Sequence, residues 1–368
     1  MKVLYIGHYR EGTGWAQAAI NYILALDAVG VDVVCRPVKL NNTQPELPPR
    51  ILELESKSSR GCTVCIQHVL PHYMDYNSGF LNVGMAILET SSIKHTSWAT
   101  RLNNMDQVWV PDTSGFNACK NSGITKPLYQ VPHACDLNRY KEYEPINLNL
   151  NDEYVFYFIG EHVRRKHLSA LIQAFHVEFD TNDNVALVIK SHKSGLSSEE
   201  CYNRIKQTAD MIKNNLRKYT KHNRYHPEHV ITDHISEEQL MGLHQRGNCF
   251  VMPSFGEAWN IPAFDAMAMG NQVLSSNIGG MRDYLKCGSL VGGRMEPVVG
   301  ADMVFEDLNT CRENWYNISP LDLQDSMRSM YQSRPVMYDK DWVGRYSYES
   351  IGNIMLENLN GHDVSVDE

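Results

Sequence analysis

The sequence lacks most features that mark membrane, secreted or nucleic-acid-binding proteins. It contains no run of about 18 consecutive apolar residues, so we expect no transmembrane helix. Residues 2–6 already have a strand pattern, without the basic and apolar segments of a signal peptide. A net charge of −9 disfavours broad, sequence-independent binding to a phosphate backbone. We therefore expect a cytoplasmic protein without a broad basic face for nucleic acid.

The sequence also lacks a paired set of metal-ligand residues. Its nine cysteines are odd in number and scattered, which favours reduced thiols over a disulfide framework. Cys62, Cys65, His68 and His72 have the ligand types of a zinc site, but a single Cys-x-x-Cys without a second pair is more typical of core cysteines. No Asp-x-Asp motif is placed to hold a nucleotide-bound metal. We predict neither a bound metal nor a cofactor.

The sequence does contain a regular alternation of short apolar runs and helical patterns. Its 368 residues give room for two domains of ordinary size. The first half has strand patterns at residues 3–6, 31–35, 63–67, 83–88, 107–110 and 128–131. The second half restarts with strand patterns at residues 154–159, 185–190, 230–231, 249–252 and 272–275. Strands that alternate with helices predict parallel sheets with right-handed crossovers.

This alternation predicts an α/β protein with two Rossmann-like domains. A polar stretch with few apolar residues separates the two halves and is interpreted as a linker. A helical pattern at residues 341–360 follows the second half, and packing of this helix on its own domain is one possibility. The predicted parts are a first domain at residues 1–137, a linker at 138–153, a second domain at 154–335 and a tail at 336–368.

The segment 251–283 carries the clearest functional pattern. Glu257 and Asp265 are separated by seven residues, with a turn between the end of a strand and a helix predicted at residues 262–269. Ligands of open α/β sheets bind outside the carboxyl ends of the strands, where a helix N-terminus presents unpaired N–H groups. Carboxylates placed there accept hydrogen bonds from sugar or ribose hydroxyls. The alternatives are a solvated loop for Glu257 and helix-dipole compensation in the first helical turn for Asp265.

This segment resembles the signature of the family-4 retaining glycosyltransferases, which have the GT-B fold. The matching residues are Pro253, Ser254, Glu257, Trp259, Ile261, Pro262, Ala266, Met267, Ala268 and Gly270. The chain departs from the family at Ala258 and Asn260, where glycines are usual, and at Asp265, where a second Glu is usual. The resemblance implies two facing Rossmann-like domains with a last helix that crosses back to the first.

The resemblance also assigns roles to the residues of the segment. It implies that Glu257 and the backbone of Trp259, Asn260 and Ile261 hold the donor sugar. Asp265 is implied to hold the ribose, because the shorter Asp should still reach it.

A second stretch, residues 160–167, resembles the family's diphosphate-binding loop. Relatives have Gly-Arg followed a few residues later by Lys-Gly, and that Arg and Lys clamp the donor diphosphate. Lys166 matches the Lys, whereas Glu161 occupies the position of the Arg and would repel a diphosphate. Arg164 or Arg165 is the candidate to supply the missing charge, since a guanidinium forks onto phosphate oxygens. The alternative is a solvated basic loop.

Three further positions match the family less specifically. Gly12 and Gly14 resemble the glycine loop after the first strand, which opens the acceptor domain toward the donor, although a plain tight turn is also compatible. Glu89 stands where many relatives carry a His that touches the donor sugar. It is a candidate base or hydroxyl ligand, or a charge-paired strand end. Gly279 and Gly280 either offer amides to a phosphate or form an ordinary turn.

Together these matches imply a metal-independent, retaining hexosyl or pentosyl transferase that uses a nucleoside-diphosphate sugar and an unidentified acceptor. Its predicted catalytic residues are Glu257, Lys166 and Glu89. Two alternatives from other classes are kept. One is a non-catalytic nucleotide-sugar-binding protein, motivated by the replacements at Glu161, Ala258, Asn260 and Glu89. The other is a nucleotide-sugar epimerase or hydrolase of the same architecture.

Overall fold

The computed structural model describes residues 1–40, 45–221, 224–285, 288–301, 310–333 and 340–361. The chain divides into two units between Arg139 and Tyr140. Unit 1 contains residues 1–139 and the described segments 310–313 and 340–361, whereas unit 2 contains residues 140–301 and 314–333, apart from their gaps. The predicted end of the second domain at residue 335, the first residues of the predicted tail and its last seven lie outside the described residues.

Unit 1 is built on a six-stranded parallel sheet, with strand order β2-β1-β3-β4-β5-β6. Its strands are β1 (Lys2–Gly7), β2 (Asp32–Pro37), β3 (Val64–His68), β4 (Leu81–Met85), β5 (Gln107–Val110) and β6 (Leu128–Gln130). Its first helices are α1 (Gly14–Ala28), α2 (Pro49–Ser56), α3 (Ser97–Asn103) and α4 (Thr113–Asn121). The six predicted strands are confirmed, with ends that differ from the prediction by at most three residues.

Unit 2 repeats this plan with a second six-stranded parallel sheet, ordered β12-β11-β10-β7-β8-β9. Its strands are β7 (Tyr154–Glu161), β8 (Val185–His192), β9 (Glu228–Ile231), β10 (Cys249–Met252), β11 (Gln272–Ser276) and β12 (Ser289–Val291). Its helices are α5 (Leu168–Glu178), α6 (Ser198–Leu216), α7 (Glu237–Arg246), α8 (Ile261–Ala268), α9 (Met281–Tyr284) and α10 (Pro320–Gln332). An antiparallel hairpin joins β13 (Gly293–Pro297) to β14 (Asn314–Ile318).

Burial of both faces of each sheet explains why the strands can be recognised in the sequence. The central strand β7 buries Val155, Phe156, Tyr157 and Phe158 completely. A parallel strand covered by helices on both faces reads as a continuous apolar run rather than an alternating one. The predicted α/β class with two Rossmann-like units is confirmed.

The last helix, α11 (Tyr348–Asn360), belongs to unit 1 and packs against α1. The Tyr348 hydroxyl donates to Asn21 Oδ1 at 3.0 Å. A Cβ at Gly352 would lie 2.2 Å from the Ala25 carbonyl oxygen, so the two helices approach closely only because position 352 has no side chain. The predicted crossover of the tail helix to the first unit is therefore confirmed.

We expect Gly352→Ala to lower the free energy of unfolding by about 1–3 kcal/mol, because the added methyl must push α11 away from α1. Gly344→Ala is the matched control, since a Cβ there meets nothing within 4 Å. Urea unfolding of the two variants and the wild type measures the difference. Equal stability of all three would mean that the α1–α11 contact is looser than described.

The eight cysteines among the described residues are free thiols, and all but Cys311 are buried. Cys65 lies in β3 and is 1% exposed, as expected of a core cysteine. Within the described ranges, no group of three or more His, Cys, Asp or Glu side chains is arranged to hold a metal ion. No described helix combines the length and apolar character needed to cross a bilayer.

Candidate active site

The signature segment forms the loop between β10 and α8. Asn260 caps α8, with its side-chain oxygen accepting from the Ala263 N–H at 3.2 Å. Its backbone is left-handed, with φ of 65°. Asn is one of the few residues other than glycine that adopt this conformation routinely. This explains why the chain carries Asn260 at a position where the family that it resembles has glycine.

Glu257, in this loop, is a buried carboxylate at the centre of an ion cluster with half-buried cations. The residue is 6% exposed, and its Oε1 accepts from Lys166 Nζ at 2.6 Å and from Arg165 Nη1 at 2.9 Å. Arg165 Nη1 also donates to the Gly256 carbonyl oxygen at 2.6 Å. Both cations come from the predicted diphosphate loop, so the two sequence motifs meet at one carboxylate oxygen.

The electrostatics of Glu257 follow from this contact. Burial opposes ionisation of the carboxyl group, but the Lys166 ammonium and the Arg165 guanidinium outweigh it and hold the pKa of Glu257 below its ordinary value. The carboxylate is therefore ionised at neutral pH. An ionised acceptor beside two cations is suited to bind hydroxyl groups next to a bound anion.

The two arginines of the diphosphate loop lie in different surroundings. Arg165 contacts Glu257, whereas the Arg164 guanidinium lies 6.0 Å from the centre of the Phe255 ring. That ring is stacked on His167 at 4.0 Å and on Trp315 at 5.4 Å. The structure thus places Arg165 in the ion cluster and Arg164 beside an aromatic stack. No sequence motif indicates this aromatic stack.

Glu161, the departure from the family's Arg, is bound to a neighbouring loop. Its Oε1 accepts from the Ser194 N–H at 3.0 Å. Burial opposes ionisation of Glu161, but the Ser194 hydrogen bonds and the nearby His192 and Lys193 lower its pKa. Glu161 therefore contributes a negative charge to the loop that follows β8, where it satisfies a backbone donor.

Asp265 lies on α8 and is 2% exposed. The helix begins at Ile261, which makes Asp265 its fifth residue, so the predicted position in the first helical turn is wrong. The field of a helix terminus falls off within one turn, so helix-dipole compensation does not account for this carboxylate. Its Oδ1 accepts instead from the Tyr140 hydroxyl at 2.9 Å.

The glycine pair 279–280 packs directly on the signature loop. A Cβ at Gly279, whose φ is 61°, would lie 2.0 Å from the Glu257 carbonyl oxygen. A Cβ at Gly280 would lie 2.6 Å from the Trp259 ring, and the Gly280 N–H donates to the Ala258 carbonyl at 2.5 Å. The two glycines thus hold the loop in place by close backbone approach. A contact of their amides with phosphate stays a prediction.

The remaining candidates lie in unit 1. Gly14 is the first residue of α1, and a side chain there would meet nothing within 4 Å. Gly12 has φ of 62°, which favours glycine for conformational reasons. Glu89 follows β4 by four residues and is half-buried. Their predicted roles toward a donor or acceptor stay predictions.

Unit 1 also holds a buried group of imidazole and aromatic rings. His68 ends β3, stacks on Trp15 at 5.5 Å and lies edge-on to Tyr22 at 5.7 Å. Tyr22 also lies edge-on to His133 at 5.5 Å. Burial lowers the pKa of His133 to about 3 and that of His68 well below its ordinary value. Both rings are therefore neutral in the native protein.

These neutral histidines predict a loss of stability in mild acid. An unfolded His binds a proton below pH about 6.5, whereas native His133 resists protonation until pH about 3, so unfolding takes up protons as the pH falls through this window. We expect the free energy of unfolding to decrease from pH 7 to pH 5, and His133→Phe to decrease less over that interval. His234→Phe, at an exposed position, is the control. Parallel pH dependences for wild type and His133→Phe would contradict this expectation.

Comparisons with known proteins agree with this geometry. Residues 140–304 match the family model described as glycosyl transferases group 1. No curated protein sequence matches the chain. Among solved structures, the fold is similar to sucrose-phosphate synthase from Thermosynechococcus elongatus, with 15% identity, 99% of this chain and 100% of that chain covered, and a TM-score of 0.66.

Two other similar structures extend the comparison. An α,α-trehalose-phosphate synthase (UDP-forming) from Burkholderia xenovorans is 8% identical, with 98% of this chain and 100% of that chain covered and a TM-score of 0.67. TarM from S. aureus is 13% identical, with 81% and 55% covered and a TM-score of 0.54. The predicted resemblance is thus confirmed, because residues 140–304 match the glycosyl transferases group 1 family and the chain as a whole has the GT-B fold.

Proposed function

We propose that the protein transfers a sugar from a nucleoside-diphosphate sugar to an acceptor, with retention of anomeric configuration and without a divalent metal. The observation that carries the proposal is the contact between Glu257 and Lys166, which joins two motifs that resemble those of the family in one ion cluster. The family match over residues 140–304 supports the use of a nucleotide sugar.

In this proposal the cations act on the leaving group. Lys166 and Arg165 stand beside the diphosphate and neutralise the charge that grows on it as the bond to the sugar breaks. Preorganised charges aimed at developing charge are usually the largest contribution to catalysis. Two fixed cations take over the part that a divalent metal plays in other transferases, which supports the proposed metal independence.

The two carboxylates hold the other parts of the donor. Glu257 accepts hydrogen bonds from hydroxyls of the sugar, and Asp265 accepts them from the ribose. The backbone of Trp259, Asn260 and Ile261 supplies groups beside the sugar, and Gly279 and Gly280 pack against the loop that leads into it. Glu89, with its half-buried carboxyl group, is proposed to bind a hydroxyl of the donor or acceptor from unit 1.

UDP is the first probe, because two of the similar structures contain UDP or a UDP-sugar. Thermal-shift measurements with UDP, GDP, ADP, CMP and NAD should show a selective shift with one nucleoside diphosphate. The corresponding sugar nucleotides are then incubated with the protein and an acceptor panel in EDTA, and the anomeric configuration of the product is read by NMR. A shift with NAD alone would overturn the proposal. Binding without turnover would favour the non-catalytic alternative, and an inverted product would overturn retention.

A further inference from the structure

We propose that Tyr140 is a positioning residue for the donor ribose, because its hydroxyl fixes the Asp265 carboxylate in the orientation that binds ribose hydroxyls. This inference rests on the proposed function and names a residue that the family motifs do not contain. Tyr140 is the first residue of unit 2, and 125 positions separate it from Asp265.

The first argument is the geometry of the contact. The Tyr140 hydroxyl donates to Asp265 Oδ1 at 2.9 Å. A phenol that donates to a carboxylate forms a charge-assisted hydrogen bond, which is stronger and more directional than a neutral one. An ionised carboxylate accepts at both oxygens, so a single phenol bond restricts its rotation without consuming its capacity to accept others.

The second argument is burial. Asp265 is 2% exposed. The ring centre of its neighbour on the helix, Phe264, lies 6.3 Å from the ring centre of Tyr140. A carboxylate withdrawn from water stays ionised only if hydrogen-bond donors compensate for the lost hydration. Tyr140 supplies such a donor. Replacing Tyr140 by Phe removes this donor from the buried carboxylate.

The third argument is the length of the side chain. The family usually has Glu at this position, and Asp is one methylene shorter, so its carboxylate has less freedom to adjust toward a ligand. A shorter ligand group must be held more accurately to reach the same hydroxyls, since an ångström of misplacement is costly. The hydrogen bond from the Tyr140 hydroxyl holds the shorter Asp265 side chain in one orientation.

The test compares Tyr140→Phe with wild type in calorimetric titrations of UDP and of 2′,3′-dideoxy-UDP. We expect wild type to prefer UDP, and Tyr140→Phe to bind UDP about tenfold more weakly while its affinity for the dideoxy analogue stays nearly unchanged. Tyr331→Phe is the matched control. It removes another hydroxyl contact of unit 2, with the Asn184 N–H, and should leave both affinities unchanged.

A double-mutant cycle with Asp265→Asn completes the test. The effect of Tyr140→Phe on UDP affinity should disappear in the Asp265→Asn background, because the two residues act through one contact. Equal losses for UDP and the dideoxy analogue, or an unchanged preference, would overturn the inference and leave Tyr140 a structural residue. If wild type binds UDP but does not prefer it to the analogue, the ribose role of Asp265 fails as well. If wild type binds no nucleoside diphosphate at all, the proposed function itself fails.

Discussion

Replacing Glu257 by Gln should abolish most of the sugar transfer while leaving the binding of UDP intact or tighter. Gln has nearly the same shape but no charge, so it loses the strong hydrogen bonds to the sugar hydroxyls. We expect turnover to fall by about 10²–10³-fold, as for other residues that stabilise a transition state electrostatically. The Lys166 ammonium and the Arg165 guanidinium, no longer held by a carboxylate, become better partners for the diphosphate.

Product formation and calorimetry with UDP measure the two halves of this expectation separately. Glu199→Gln is the control, because Glu199 is exposed in the first turn of α6 and should leave both quantities unchanged. Equal turnover in Glu257→Gln and wild type would remove Glu257 from the catalytic site. We expect the Glu257 carboxylate and the diphosphate to compete for Lys166. Weaker binding of UDP to Glu257→Gln than to wild type would contradict this competition.

Lys166→Ala should differ from Glu257→Gln in its UDP affinity. We expect it to lose UDP affinity as well as turnover. A charge-assisted contact to phosphate contributes about 1.5–3 kcal/mol, which corresponds to a roughly 10- to 100-fold weaker affinity. Lys221→Ala removes an exposed cation of the same unit and should change the affinity little. Unchanged affinity of Lys166→Ala for UDP would mean that the phosphates bind elsewhere.

The architecture was predictable because both sheets are parallel and buried. Such strands are apolar along their whole length, so β7 and β10 stand out from the polar segments around them. The short helices α2, α3 and α4 were not predicted, since their seven to nine residues give little periodicity. The start of α4 is capped by a side-chain bond from the Gly115 N–H to Asp112 Oδ1, which a short helical pattern does not reveal.

The site was predictable only as far as its motifs extend. The motifs located Lys166 and Glu257, but their ion pair joins residues 91 positions apart, and loop packing decides which arginine shares it. For this reason the sequence left Arg164 and Arg165 as alternatives. The contact between Tyr140 and Asp265 spans an even longer separation and no periodic pattern encodes it. Helix α8 begins one residue earlier than predicted, so Asp265 lies beyond its first turn.

The central claim is that unit 2 binds a nucleoside diphosphate at the cluster of Lys166, Arg165 and Glu257. A crystal structure of the protein with UDP, or with whichever nucleoside diphosphate gives the selective thermal shift, tests it most directly. We predict phosphate oxygens within hydrogen-bond distance of Lys166 Nζ and the ribose hydroxyls on the Asp265 carboxylate. The account would be contradicted by a diphosphate that is bound at full occupancy away from Lys166 while the ion pair between Lys166 and Glu257 remains intact.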